Sequence, residues 1–112
     1  MFTLDKSGTV WATIKGDEIS EDGKRRIPFE FAFRFRRMSL DGFSKWANHV
    51  REDGLTDIEG LLEVGLEFRD LKNADGSDAE FNADTLAAAL SWVGVEAFLV
   101  AMKATLPRAK NS

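Results

Sequence analysis

Side chains able to do chemistry are few in this chain, and their spacing works against most of it. Asp17, Glu18, Glu21 and Asp22 form an acidic run between Gly16 and Gly23. Hard divalent cations take oxygen ligands, so a cation site is the chemical reading. The flanking glycines and Lys24 favour a solvated loop. Asn73-Ala74-Asp75-Gly76 suggests a calcium loop until its register is tested. With Gly76 at the sixth position, the first falls on Leu71 and the twelfth on Asn82, and neither supplies the carboxylate needed there. An ordinary Asp-Gly turn fits instead. His49 is the single histidine, and no nucleophile or carboxylate is paired with it in local sequence. No nucleophile elbow, phosphate-binding glycine loop or His-Glu-x-x-His motif is present. The expectation is a protein that is not an enzyme and has no cofactor or metal.

Two groups of residues suit a binding role. Arg25, Arg26, Arg34, Arg36 and Arg37 surround an aromatic strand. Arginines interleaved with rings can bind single-stranded nucleic acid when both share an exposed surface. Here alternation places the Phe rings opposite Arg34 and Arg36, so these two are expected to pair with acidic groups on a neighbouring element or subunit. The second group is Phe98, Leu99, Met102 and Leu106, large apolar residues at helical spacing near the C-terminus. They suit either packing against the helix at 40–52 or a surface for a partner helix, with Met as an adaptable contact. Phe98, Leu99, Met102, Leu106, Arg34 and Arg36 are therefore the candidate partner-binding residues.

Composition narrows the class. A chain of 112 residues, 44% hydrophobic and 30% charged, is one globular domain, residues 1–112, with a thin core. Cysteine is absent, which excludes disulfides, thiolate metal sites and a Cys nucleophile. Nine Phe, three Trp and no Tyr point to packing rather than hydrogen-bond readout by the rings. A net charge of −4 argues against a nucleic-acid partner. The N-terminus MFTLDKSGTV lacks a signal-peptide pattern. The apolar stretch 86–102 is interrupted by Ser91, Gly94 and Glu96 and falls short of the ~20 residues a membrane span needs. No membrane partner is expected.

The elements that would hold these residues can be read in order. Thr9–Lys15 is a strand, 16–24 a long hairpin loop, and Arg25–Arg37 a second strand. Ile27, Phe29, Phe31, Phe33 and Phe35 share one face of that strand; Pro28, Glu30, Ala32, Arg34 and Arg36 share the other. Each Phe ring buries on the order of 150–250 Å². A lone hairpin cannot cover that stripe, so the later helices or a second copy must. Ser39 caps a helix at 40–52, with Leu40, Phe43, Trp46, Ala47 and Val50 on its apolar side and Gly54 after it. Thr56 and Glu59 form a capping box for a helix at 57–66. A turn spans 71–79. Asn82 caps a helix at 83–91 with Leu86, Ala87 and Leu90 inside; Gly94 breaks it, and a last helix runs to Pro107. A short polar tail occupies 107–112. The expected fold is α+β, mostly helical: an N-terminal β-hairpin followed by three to four short packed helices.

One stretch adds a family resemblance. A helix leads into Gly65-Leu66-Glu67-Phe68-Arg69-Asp70-Leu71, then come the Asp75-Gly76 turn, Phe81 with Asn82 opening a helix, and a closing apolar helix. That order resembles the tail assembly chaperones of long-tailed bacteriophages. Phe68 stands where that family usually has Trp. The resemblance spans roughly the whole chain through short motifs. It implies a protein of an infected or prophage-carrying bacterium, working in the host cytoplasm and absent from the finished virion. Such a protein binds the tail tape measure protein, keeps it soluble and promotes tail tube assembly, with tail tube protein as a further candidate partner. Many members are also made as a longer frameshifted product. Self-association through the Phe-rich hairpin, in a protein-binding module of unrelated role, is the alternative. A small RNA-binding regulator is a third.

Overall fold

Alternation along the second strand does set the architecture of the computed structural model, which describes residues 8–108. Strands β1 (Thr9–Ile19) and β2 (Arg26–Arg36) form an antiparallel hairpin. Helices α1 (Leu40–Glu52) and α2 (Asp57–Val64) follow, then strand β3 (Gly65–Arg69) and helix α3 (Ala83–Lys103). The sheet order is β1-β2-β3, so β2 is central and bonded on both sides. The fold is α+β with an N-terminal hairpin, as expected. Residues 1–7, read above as lacking a signal pattern, and residues 109–112 of the expected tail lie outside the described residues.

Phe31, Phe33 and Phe35 are buried, with Ala12 and Ile14 of β1 directly opposite Phe33 and Phe31. Phe33 is the hub. Its ring centroid lies 5.5 Å from Phe35, 6.0 Å from Phe68, 5.7 Å from Phe81 and 5.2 Å from Phe98. Most of these pairs are tilted or edge-on, the arrangements that the ring quadrupole favours. The chain therefore covers the Phe31, Phe33 and Phe35 part of the stripe itself, with rings from β3, the α3 approach and α3.

Three expectations are corrected. The balance is less helical than read, because Gly65–Arg69 is a third strand rather than an extension of α2. Gly65 explains the change: a Cβ there would stand 2.3 Å from Phe81 Cζ and 2.9 Å from both Phe33 Cε1 and the Leu61 carbonyl oxygen. Only a bare backbone fits beneath those rings, and it fits extended. Register against β2 shifts between Arg34 and Phe35, leaving Leu66 exposed. The hairpin loop is also shorter than read, since β1 runs on to Ile19 and only 20–25 remain as the tip. Finally, α3 packs principally on β1 and α2 rather than on α1.

Local signals elsewhere hold. Ser39 Oγ accepts from Gly42 N–H at 3.0 Å, and Thr56 with Glu59 completes a capping box. Gly54 sits at φ 65°, the left-handed stop. Trp46 Nε1 donates to the Gly60 carbonyl at 3.0 Å, tying α1 to α2. Helix α3 contains a break at Gly94, whose φ 78° and ψ 160° are not helical. Its 21 residues, with an 18-residue window of mean hydropathy 1.7, do meet the length and composition of a membrane-crossing helix, which the sequence expectation denied. The break divides it, however, and Leu86, Ala89, Phe98, Ala101 and Met102 are buried in the protein core.

Filling the space at Gly65 should be costly. Gly65→Ala is expected to lower stability by about 1–3 kcal/mol through overpacking. Phe33→Ala should cost about 3–5 kcal/mol through the cavity it leaves. Urea unfolding midpoints of the two variants check both values.

Candidate binding groove

Coverage of the aromatic stripe stops short at the hairpin end. There Phe29 is only half-buried, and a groove of about 850 Å³ opens between β2, the 70–79 turn and the first half of α3. Phe31, Ala79 and Ala89 form its buried floor, with Phe29, Leu71 and Val93 beside them. Trp92 lines it while remaining 74% exposed. Glu18, Glu30, Asp70 and Asp84 also line it, and all four are exposed.

Each wall is fixed by its own local chemistry. Gly16 faces Phe29 across the hairpin, and a Cβ there would come within 2.7 Å of Phe29 Cζ and 3.2 Å of Val93 Cγ1. The missing side chain lets the ring lie against β1 and touch α3. Asn82 and Thr85 form a reciprocal capping box that sets where α3 begins. The turn wall is held by Asn73 N–H to the Ser77 carbonyl at 2.8 Å and by Ala79 N–H to the Leu71 carbonyl at 2.9 Å. Asp75 accepts from the Ser77 hydroxyl at 2.5 Å and the Ser77 N–H at 2.9 Å, which holds its carboxyl below the usual range. This is the Asp-Gly turn expected from sequence, with Gly76 at φ 86°.

The residues predicted to bind a partner are not brought together. Phe98 and Met102 are fully buried, with Phe98 against Phe31, Phe33 and Phe68. As folded they are core residues with no surface to offer, which corrects that assignment. Leu99 and Leu106 are half-buried and pack beside the same core. Arg34 and Arg36 lie on the opposite, outer face of the sheet. Arg34 donates to Thr9 Oγ1 at 2.9 Å and to Glu67 Oε1 at 3.1 Å, so its expected neighbouring acid is on β3. Arg36 is exposed and makes no ion pair among the described residues. The outer face does hold a ring that sequence reasoning overlooked. Trp11 lies beneath the Arg69 guanidinium at 4.1 Å, with Arg34 at 6.0 Å. Arginine already occupies the face on which a base would stack.

Trp92 was also missed. Leu86 and Ala89 are buried and Val93 is half-buried, and Trp92 stands off that stripe. A large ring at a position the helical period assigns to solvent is the signal that could have found it. Among the described residues no cluster of three or more His, Cys, Asp or Glu is placed to hold a metal. Asp17 of the acidic run pairs with Arg26 at 2.8 Å, and Asp22 accepts from Ser20 Oγ at 2.5 Å and Lys24 N–H at 2.9 Å. Comparisons with known proteins return no matching family model, curated sequence or solved structure.

His49 has two acidic partners in space. Its Nδ1 lies 2.6 Å from Asp53 Oδ2 and its Nε2 lies 3.0 Å from Glu63 Oε2, linking α1 to α2. Both nitrogens can donate only in the imidazolium. The hydrogen bond with Glu63, followed by the charge of Glu63 and the hydrogen bond and charge of Asp53, raises its pKa above 6.5 against desolvation. A raised folded value means the stabilisation is full below 6.5 and is lost as pH rises through the folded pKa. Urea midpoints should therefore separate His49→Gln from the unmodified protein most below pH 6.5. The gap should close in alkaline solution.

Proposed function

We propose that this protein is a tail assembly chaperone of the long-tailed phage kind, which binds the tape measure protein and keeps it soluble until tail tube subunits enclose it. The observation that carries the reading is the open apolar groove with Trp92 at its lip. A monomer gains nothing from leaving such a ring in water, whereas partner surfaces are enriched in exposed aromatics. The order of elements also agrees with the resemblance: α2, Gly65 and Phe68 in β3, the Asp75-Gly76 turn, then the Asn82-capped helix. The mechanism is passive shielding. A long client helix exposes apolar stripes, and several copies bound along it would multiply weak contacts through effective concentration. No bond-making step is assigned to the chain. It acts in the host cytoplasm and leaves before the virion is complete.

A second reading, a self-associating module, draws on Val100 and Leu66, which are exposed outside the groove lining at 58% and 47%. Sedimentation over a concentration series separates the two. A tight closed dimer without a client favours the module, and an open series favours a coat along a filamentous client.

Co-expression with the long, helix-rich product expected just downstream of this coding region should raise that product's soluble fraction and copurify with it. Trp92→Glu should abolish copurification while leaving urea stability within about 0.5 kcal/mol, because the site is exposed. A client that stays insoluble and separate in the presence of the unmodified chain defeats the chaperone assignment.

A further inference from the structure

We infer that the groove takes one amphipathic helix whose apolar stripe is bordered by Lys or Arg. The inference rests on the reading of the groove as the partner site and specifies the partner's chemistry. Phe29, Phe31 and Val93 provide an apolar bed with Trp92 beside it. Carboxylates border that bed from three separate elements: Glu18 on β1, Asp70 after β3, and Asp84 in the first turn of α3. None of the three makes an ion pair among the described residues. Glu30 also lines the groove, but strand alternation sets it with Lys15 on the outer face of the hairpin, so it does not add to this border. Among the described residues Lys72 is the lone cation of the lining, and Asp78 already engages it.

Charge complementarity selects among occupants. A second copy using the same face would set acidic rim against acidic rim, since a two-fold interface places one patch on itself. Anionic lipid headgroups and nucleic-acid phosphates meet the same repulsion. An apolar helix with basic borders meets none. Anchors at i, i+3, i+4 and i+7 would enter the bed while basic side chains reach the rim. Opposite charges across such a rim contribute mainly to selectivity and rate of association.

Two fluorescein-labelled helical peptides with the same Leu stripe, one bordered by Lys and one by Glu, test this against the full chain by anisotropy. The Lys peptide should bind about tenfold tighter in low salt, and added salt should shrink the difference. The double variant Glu18→Gln/Asp84→Asn should remove most of the preference. A control double variant, Glu52→Gln/Asp57→Asn, removes the same charge from exposed sites on α1 and α2 outside the groove lining and should leave it intact. Trp92→Ala should weaken both peptides. Equal binding of the peptides overturns the inference, as does an equal loss in the control variant. Self-association that Trp92→Glu abolishes would make the occupant a second copy and overturn it too. A Lys preference without client solubilisation sinks the chaperone reading alone; client solubilisation without a Lys preference sinks this inference alone.

Discussion

The structure depends on burying one strand's aromatic face. Phe31, Phe33 and Phe35 cannot be hidden by the hairpin that carries them, so the rest of the chain is arranged to reach them. Phe68 comes from β3, Phe81 from the approach to α3, and Phe98 from beyond the Gly94 break. These contacts join segments far apart in sequence into one cluster. They require Gly65 to be bare and β3 to be extended where a helix would otherwise continue. Burial of apolar area supplies the driving force, and the ring geometries add directional preference.

The same solution leaves the groove behind. Helix α3 must bring Phe98 over Phe33, and its break at Gly94 lets the two halves take different directions. The second half seals the core. The first half lines the groove near Phe29 with Ala88, Ala89, Trp92 and Val93. Polar work at this end is local: the Asn82 box sets the start of α3, and the Asp75–Ser77 contacts keep the turn wall in place. Groove and core are thus adjoining parts of one packing arrangement.

Period-two alternation in β2, the two capping signals at Ser39 and Thr56, the Asn82 cap and the Gly94 break were all legible from residue types alone. Each is a local signal whose meaning depends on a few neighbours. β3 was not legible, because five residues are too short for alternation to stand apart from the pattern of α2, and Gly65 is extended only through rings distant in sequence. Phe98 and Met102 were assigned to a partner surface for a related reason. Helical spacing marks Phe98 and Met102 as an apolar stripe but cannot say whether that stripe faces the core or a partner. Tertiary contact decides it, and it decides for the core. Trp92 escaped notice because the stripe, not its exception, was followed.

Helix α1 is attached by little. Phe43 is its one buried residue, and its links to α2 are the Trp46 indole bond, the His49 bridge and the contact of Val50 with Gly60. Beta2, by contrast, has neighbours on both edges. Local opening should therefore follow a hierarchy, with α1 lifting away as a separate cooperative unit well below the free energy that exposes the central strand. Amide protons of Lys45–Val50 would then exchange with solvent long before those of Phe31–Phe35, making the protein a stiff sheet and α3 scaffold with a detachable helical flap.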